Sequence, residues 1–336
     1  MLSGVIMCEV DDMADVLMKV NHVKKHFAFY ENLRKKSVKA VDDISLEIYR
    51  GETLGLVGES GCGKSTLGRV LLRLQEKTDG SIIFEGKDLH SLSKKEMQKC
   101  RRDMQIVFQD PYACLNPRLT VGQIIEEPLK FHGVKSKAER LERVKSVMAS
   151  VSLPEGTIHR YPHELSGGQQ QRVGIARALV LRPKFIVCDE AVSALDVSVQ
   201  AQILNLLAKL KDEYQLTFLF VSHNLAVVHH ICDRIAVMYL GRIVEIADKK
   251  TLFSNPMHPY TKALMSAILT TEKSGQIDNF TLTSDLPNPI DPPSGCHFHP
   301  RCDHMCQQCS EKEPELVQVE PGHYVACPYT WKFSHE

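Results

Sequence analysis

Residues 58–66 constrain this chain more than any other stretch. They read GESGCGKST and fit G-x-x-x-x-G-K-[ST], the pattern of a loop that surrounds the phosphates of a nucleoside triphosphate. The preceding residues 53–57 are typical of a short buried strand, and residues 67–74 are typical of a helix. A strand, a glycine-rich turn and a helix direct backbone N–H groups and the positive end of a helix dipole at one point. The sequence therefore predicts a nucleotide site on an α/β fold.

The residue types of this loop match that chemistry. Glycines let the backbone approach phosphate closely, Lys64 supplies a positive charge, and the Ser65 hydroxyl can ligate Mg²⁺. The candidate nucleotide-binding residues of the loop are Gly58, Glu59, Ser60, Gly61, Cys62, Gly63, Lys64, Ser65 and Thr66.

Length and charge exclude some classes of protein. The 336 residues favour two or three domains, and 41 Lys and Arg balance 41 Asp and Glu, which weakens a main role in gripping nucleic acid. No apolar run is long enough to span a bilayer, and no secretory signal is recognisable. We expect a cytosolic chain whose 11 cysteines are thiols or metal ligands. Translation starting at Met13 rather than Met1 is a further hypothesis.

An aromatic stretch precedes the phosphate loop. In residues 26–30, Phe27 is the favoured ring for stacking on a purine base, and Tyr30 is the second choice. The alternative is an aromatic residue that packs on the core at the end of a strand.

A second glycine-rich segment predicts a second anion site. Leu165 is followed by Ser166, Gly167, Gly168 and Gln169 at the start of a predicted helix. Ser166 is a suitable N-cap, and the glycines leave backbone N–H groups available to an anion.

Polar residues follow several predicted strands. Gln109 comes after the strand at 104–108, Asp189 and Glu190 after 185–188, and His223 after 216–221. Such residues meet at the carboxyl edge of a parallel sheet, beside the phosphate loop. Asp189 can hold Mg²⁺ or its water, Glu190 can act as general base, and His223 can contact a γ-phosphate. The alternatives are a solvated acidic pair and a structural histidine.

Residues 118–160 have helical periodicity and predict a second, helical lobe. Its expected core positions are Val121, Ile124, Ile125, Leu129, Leu141, Val144, Val147, Met148 and Val151.

Six motifs together resemble a known family. The loop at 58–66, Gln109, LSGGQ at 165–169, the strand with Asp189 and Glu190, SALD at 193–196 and His223 resemble, in this order, the ATP-binding cassette of ABC transporters over about residues 18–250. Ala191-Val192 departs from the Pro-Thr of many cassettes.

The resemblance implies a P-loop NTPase fold: a mixed sheet core, an antiparallel β subdomain and a helical subdomain at about 111–180. It also implies that two cassettes pair head to tail, so that each ATP lies between the phosphate loop of one and the LSGGQ of the other. Glu190 would then be the general base and His223 the γ-phosphate sensor. Gln109 would contact Mg²⁺ and the attacking water, and Asp196 would belong to the ATP site. Ser65, Gln109 and Asp189 form the implied Mg²⁺ site.

The remainder of the chain narrows the resemblance. Residues 255–264, NPMHPYTKAL, together with 286–287 and 292–302, are similar to the C-terminal extension of oligopeptide and dipeptide permease ATPases. We expect an N-terminal extension at 1–17, a cassette at 18–250 and a small Cys-rich extension at 251–336. The implied partners are a second homologous ATPase subunit, two transmembrane permease subunits and an extracytoplasmic peptide-binding protein, with no nucleic acid. The chain would lie peripherally on the cytoplasmic face of the membrane. Open alternatives are another cargo, such as nickel or glutathione, and a soluble ABC ATPase acting on DNA or ribosomes.

Four cysteines in the extension, Cys296, Cys302, Cys309 and Cys327, follow the pattern C-x5-C-x6-C-x17-C. Four thiolates suit a [4Fe–4S] cluster or zinc, and the resemblance favours the cluster. Zinc is the alternative, because Cys306 forms a C-x-x-C pair with Cys309 and because His297, His299 and His304 lie near in sequence. Free thiols are the third possibility. We expect a tail with so few apolar residues to need such a staple to fold.

Overall fold

A computed structural model of the chain describes residues 15–31, 34–269 and 287–331. Met1, Met13 and Leu286 lie outside the described residues, as does most of the predicted N-terminal extension. Within the described part, no helix has both the length and the apolar character that a bilayer span requires.

The strands form two sheets. In chain order they are β1 Val16–Glu31, β2 Arg34–Tyr49, β3 Thr53–Val57, β4 Asp79–Phe84, β5 Lys87–Asp88, β6 Met104–Val107, β7 Phe185–Asp189, β8 Thr217–Ser222, β9 Arg234–Tyr239, β10 Arg242–Asp248, β11 Val317–Glu320 and β12 His323–Val325. The smaller sheet is antiparallel with the order β2-β1-β4-β5, and the larger has the order β11-β12-β10-β9-β3-β8-β7-β6.

Helices connect the strands and cover the larger sheet. They are α1 Lys64–Leu71, α2 Lys94–Cys100, α3 Pro111–Cys114, α4 Val121–Phe131, α5 Lys137–Ser150, α6 Gly167–Leu179, α7 Val197–Tyr214, α8 Leu225–Ile231, α9 Lys249–Ser254, α10 Pro259–Leu269, α11 Gln307–Glu311 and α12 Pro328–Trp331. Short 3-10 helices occupy residues 155–159, 162–164 and 299–301.

The centre of the larger sheet is parallel and buried. Strand β3 pairs in parallel with β8 and β9, and β7 pairs in parallel with β6 and β8. Every residue of β3, β7 and β8 is buried, as expected for parallel strands covered on both faces. The paired residues near the carboxyl ends are Val57 with Ser222, and Asp189 with Val221. This register aligns the carboxyl ends of the central strands, so the loops that follow them meet at one edge. The predicted mixed α/β fold is confirmed.

The helical lobe contains α3 to α6. Side chains of Thr120, Ser136 and Ser166 cap the starts of α4, α5 and α6 by accepting backbone N–H groups. The predicted core positions are buried with one exception: Leu141 is 46% exposed. That part of the prediction was wrong, because Leu141 falls outside the buried stripe that α5 forms with Val144, Val147 and Met148.

The C-terminal extension continues the main sheet. Strand β12 pairs antiparallel with β10, with Glu245 opposite Val325, and β11 pairs with β12. Phe298 and Tyr260 are buried in the same core as β9. The extension is therefore packed on the cassette and shares its core. That it needs a staple to fold stays a prediction.

A buried carboxylate joins the cassette and the C-terminal extension. Glu245 on β10 is fully buried and accepts hydrogen bonds from the backbone N–H groups of Met257 and His258, at 2.8 and 2.9 Å. His323 Nε2 lies 2.8 Å from the same carboxylate. Three groups thus satisfy a charge that would otherwise be costly to bury.

His258 gives this junction a pH dependence. Burial lowers the pKa of its imidazole to about 4, and its Nδ1 accepts the N–H of Tyr260 at 3.0 Å. The unfolded chain therefore binds a proton at His258 before the folded chain does. We expect the free energy of unfolding to decrease as the pH falls from about 6.5 towards 4, by up to about 3 kcal/mol from this group. Denaturant unfolding of the unchanged chain and of His258→Asn measures the free energy of unfolding at each pH in this range. The contribution of His258 is the difference between the two slopes against pH. Parallel pH profiles for the two proteins would contradict the prediction.

Candidate nucleotide site

The phosphate loop lies between β3 and α1, at the carboxyl edge of the sheet. Gly63 occupies the N-cap of α1 with φ 108°, and Lys64 is the first helical residue. Lys64 is only 4% exposed, and its Nζ donates to the carbonyl oxygens of Gly58 at 2.9 Å and Glu59 at 2.8 Å. The loop thus curls around the ammonium group. Its N–H groups donate to these two carbonyls, and phosphate oxygens can accept the same hydrogen bonds in their place.

Two glycines are required by close backbone approaches. A Cβ on Gly58 would lie 2.1 Å from the carbonyl oxygen of Met238, and one on Gly63 would lie 1.9 Å from that of Ala40. At Gly61, which has φ +82°, no atom lies within 4 Å of the added Cβ. Gly58 and Gly63 fix the path of the loop against β9 and β2, whereas Gly61 supplies only a left-handed turn.

Three polar side chains stand beside the loop at the ends of neighbouring strands. Asp189, the last residue of β7, is buried; its Oδ2 accepts from Arg69 at 3.4 Å, and its buried Oδ1 has no hydrogen-bond partner in the described part of the chain. Glu190 has a left-handed backbone (φ 50°), held by its N–H donating to Val221 O at 3.1 Å. His223 Nδ1 lies 3.4 Å from Glu190 Oε2. The structure therefore brings Asp189, Glu190 and His223 together, as the strand ends predict.

The unpartnered Asp189 oxygen suits a cation. A buried carboxylate oxygen without a donor is costly, and hard cations prefer such oxygens. Ser65 follows Lys64 in the first turn of α1, and the exposed Gln109 follows β6. These residue types fit Mg²⁺, and their ligand roles stay predictions.

The segment at 165–169 lies at the start of α6, and its first residue, Leu165, is buried. Ser166 Oγ accepts the N–H of Gln169 at 3.4 Å, and Gln169 Oε1 accepts the N–H of Ser166 at 3.1 Å. Ser166 and Gly167 are exposed, and Gly168 and Gln169 are half-buried. In the described residues, no hydrogen bond or ion pair joins this segment to the phosphate loop. That the two predicted anion sites of one chain are separate surfaces stays a prediction.

Asp196 has a local role. Its Oδ1 accepts from the N–H of Val199 at 3.0 Å and from the hydroxyl of Ser198 at 2.7 Å, which caps α7. These hydrogen bonds hold the pKa of Asp196 below its usual value.

Both candidate stacking rings are accessible. Phe27 on β1 is 39% exposed, with Lys25 Nζ at 4.8 Å from its ring centroid, and Tyr30 is 77% exposed. Neither ring is a buried core residue, so the packing alternative is wrong. Stacking on a base stays a prediction.

Sequence reasoning missed two residues that touch the loop. The Glu59 N–H donates to the hydroxyl oxygen of Tyr260 at 2.9 Å, and Arg301 Nη1 donates to Glu59 Oε1 at 3.1 Å. Both come from the extension, so the N–H and the carboxylate of Glu59 are engaged there. No local pattern signals these contacts, because the partners lie 201 and 242 residues along the chain from Glu59.

Among the described residues, the cysteines of the extension form no disulfide. Burial raises the pKa of Cys296 to about 12 and that of Cys302 to about 11, and it raises the pKa of Cys309 and Cys327 as well. Cys306 Sγ and Cys309 Sγ lie 3.3 Å apart. In the described ranges, no group of three or more His, Cys, Asp or Glu side chains is arranged to hold a metal ion. The arrangement therefore does not support the predicted cluster or zinc site.

Two families match the chain. Residues 41–193 match the family "ABC transporter", and residues 244–309 match "Oligopeptide/dipeptide transporter, C-terminal region". The second match begins in β10 and ends in α11, so it contains both residues that contact Glu59.

Individual proteins are similar over nearly the whole chain. A putative peptide import ATP-binding protein of Brucella ovis is 51% identical, over 93% of this chain and 97% of its own length. The oligopeptide transport ATP-binding protein AppF of Bacillus subtilis is 48% identical, again over 93% of this chain and 97% of its own. A solved ATP-binding cassette, MJ0796, in a dimeric post-hydrolysis state bound to ADP and Pi, has a TM-score of 0.60 at 32% identity. That alignment covers 69% of this chain and 98% of that one.

The two loop glycines make a matched test of the site. Alanine at position 63 or 61 must adopt a left-handed backbone, but only at 63 does its Cβ strike a backbone oxygen. We expect Gly63→Ala to weaken ATP binding about tenfold or more beyond Gly61→Ala, since small misplacements of a binding loop are costly. Titration with a fluorescent ATP analogue measures the two dissociation constants. Equal losses in the two variants would contradict the proposed basis for Gly63.

Proposed function

Because this chain belongs to the ABC transporter family of ATP-binding proteins, with the oligopeptide/dipeptide C-terminal region, we propose that it is the ATP-hydrolysing subunit of a peptide importer. The observation that carries this proposal is the convergence of the phosphate loop, Asp189, Glu190 and His223 at one edge of the sheet. A phosphate-binding loop with a carboxylate base beside it suits hydrolysis of a nucleoside triphosphate.

Each residue has a chemical task in this proposal. The Lys64 ammonium exchanges its carbonyl partners for phosphate oxygens when ATP binds. Glu190 accepts a proton from the attacking water, and its left-handed backbone fixes where its carboxylate points. His223, next to that carboxylate and half exposed, contacts the γ-phosphate. Gln109, exposed after β6, orients the water.

Mg²⁺ would bind to Ser65, Gln109 and the unpartnered oxygen of Asp189. When bound, it neutralises charge on the phosphates.

The shared site rests on the separation of the two anion surfaces. Ser166 and Gly167 are exposed, so the phosphate loop of a sister subunit can present its nucleotide to them. Gly167 and Gly168, in the first turn of α6, offer N–H groups that the helix itself does not use. Asp196 lies on the exposed start of α7 and contributes to the same pairing face. Phe27, and secondarily Tyr30, stacks on the adenine.

The partners are those that the family resemblance implies. We propose a heterodimer with a second homologous ATPase, bound to two transmembrane permease subunits that receive peptide from an extracytoplasmic binding protein. The chain lies peripherally on the cytoplasmic face of the membrane. The names of its relatives, peptide import and oligopeptide transport ATP-binding proteins, support peptide over nickel or glutathione as cargo.

Replacing the proposed base tests the function. In membrane vesicles that hold the complete transporter, we expect Glu190→Gln to lower ATP turnover about a hundredfold or more while ATP binding persists, since general bases contribute on that scale. Peptide uptake should fall in parallel. The control is Glu213→Gln, an exposed carboxylate on α7 that should leave turnover unchanged. Turnover near that of the unchanged transporter in Glu190→Gln would remove Glu190 as the base.

We also keep the [4Fe–4S] cluster, with zinc as its alternative, as a proposal that rests on the spacing of Cys296, Cys302, Cys309 and Cys327. The short elements of this region would gain a cross-link from such a group. As arranged here, the side chains do not form a metal-binding group, so no step of the ATPase mechanism depends on it.

The metal content of the purified protein tests the cluster and zinc proposals. We expect anaerobically purified protein to contain about four iron atoms per chain and to absorb broadly near 400 nm, roughly as thiolate-bound clusters do. Cys302→Ser should lower the iron content, and Cys114→Ser, in the helical lobe, should not. Zinc in place of iron would select the alternative, and protein without either metal would remove both.

A further inference from the structure

Two residues of the extension hold the phosphate loop. Tyr260, the second residue of α10, is buried, and its hydroxyl oxygen accepts the N–H of Glu59 at 2.9 Å. Arg301 approaches Glu59 from the 3-10 helix at 299–301. Its Nη1 donates to the two carboxylate oxygens of Glu59 at 3.1 and 3.3 Å, and to the hydroxyl oxygen of Tyr239 at 3.2 Å. Both the backbone and the side chain of Glu59 are thus held from outside the cassette.

An aromatic cluster supports the residues that contact Glu59. The rings of Tyr239, Tyr260 and Phe298 pack together, with centroids 4.6, 5.3 and 5.4 Å apart. Tyr239 is the last residue of β9, which pairs with β3 directly before the phosphate loop. Burial raises the pKa of Tyr260, so the group that accepts the Glu59 N–H is a neutral hydroxyl. Glu59 is therefore fixed relative to the sheet as well as to the extension.

The Arg301 contact also neutralises a negative charge in the phosphate loop. Glu59 carries a carboxylate within a loop that binds phosphate, and its backbone oxygen is one of the two that hold Lys64. An unpaired carboxylate in this position repels phosphate and competes for the ammonium group. The Arg301 guanidinium, largely buried, neutralises that carboxylate and turns it towards the extension.

These contacts are not needed to attach the extension. Strand β12 already pairs with β10, and Glu245 already binds Met257, His258 and His323. Glu313 adds an ion pair with Arg242. The contacts at Glu59 are additional to this attachment, and they reach the loop itself.

We propose that Tyr260 and Arg301 are positioning residues for the phosphate loop, which set its affinity for ATP by fixing Glu59 and neutralising its carboxylate. This inference rests on the proposed ATPase function and extends it to the extension.

Substitutions at the three residues test the proposal in the full chain, with ATP and ADP as probes in equilibrium titrations. We expect Arg301→Gln to weaken ATP binding about tenfold, the scale of one charge-assisted hydrogen bond, and to weaken ADP binding less because ADP carries less charge. We expect Tyr260→Phe to weaken the binding of both nucleotides about fivefold, since the N–H of Glu59 loses its acceptor.

The double variant separates positioning from simple packing. Adding Glu59→Gln to Arg301→Gln removes the unpaired charge, and we expect it to restore ATP affinity to within about threefold of the unchanged chain. Arg301→Lys should retain part of the affinity. The control is Glu311→Gln, an exposed carboxylate of the extension whose recorded partner is Gln307 on the same helix, and it should leave both dissociation constants unchanged. Thermal unfolding of each variant reports whether it is folded.

Three results would overturn the proposal: ATP affinity unchanged in both single variants, no recovery in the double variant, or equal losses of ATP and ADP binding in Arg301→Gln. If Arg301→Gln does not fold, Tyr260→Phe and Arg301→Lys decide alone. If the unchanged chain binds no ATP, the proposed function is overturned. If the unchanged chain binds and hydrolyses ATP normally and the variants have the same dissociation constants as that chain, only this inference is overturned.

Discussion

The register of the central parallel strands governs the rest of this structure. Strand β3 pairs on both sides and is wholly buried, so its carboxyl end is fixed in the sheet. The same register sets Asp189 opposite Val221, one residue before Ser222, which pairs with Val57. Loops that follow these strands must therefore converge, whatever their own sequences. The nucleotide site is a consequence of that alignment.

Within the site, charge balance shapes the loop. Lys64 is buried, and the carbonyls of Gly58 and Glu59 satisfy its ammonium group. A buried ammonium without such partners would be costly, so the loop remains curled around it. Phosphate oxygens can replace those carbonyls because they offer the same type of acceptor with more charge. The Asp189 oxygen that lacks a donor offers a cation the opposite charge.

The extension is continuous with this arrangement. It lengthens the main sheet through β12, shares the core around Tyr239, and meets Glu245 and Glu59 with buried polar contacts. Buried ion pairs and hydrogen bonds of this kind contribute orientation more than net stability. The family match at 244–309 covers Tyr260 and Arg301, which contact Glu59, whereas strand β12 lies beyond it.

Local sequence was sufficient for the elements that carry their own signal. The glycine-rich loop, the strand-end carboxylates and the Ser166 cap of α6 were predictable because spacing and residue type fix them within a few residues. Exposure was less predictable: Leu141 fits the helical pattern but faces solvent, and Phe27 lies on a strand yet outside the core. The cysteine spacing predicted a metal group that the described side chains do not assemble, because spacing along a chain does not fix where thiols point.

The sequence by itself determined the family, the fold class and the residue types at each strand end, since these depend on short-range patterns. Only the tertiary structure decided which distant residues meet them. Tyr260 and Arg301 reach Glu59 from 201 and 242 residues away. The physical reason is that such contacts depend on how whole sheets and helices pack, and no local pattern of residues records that packing.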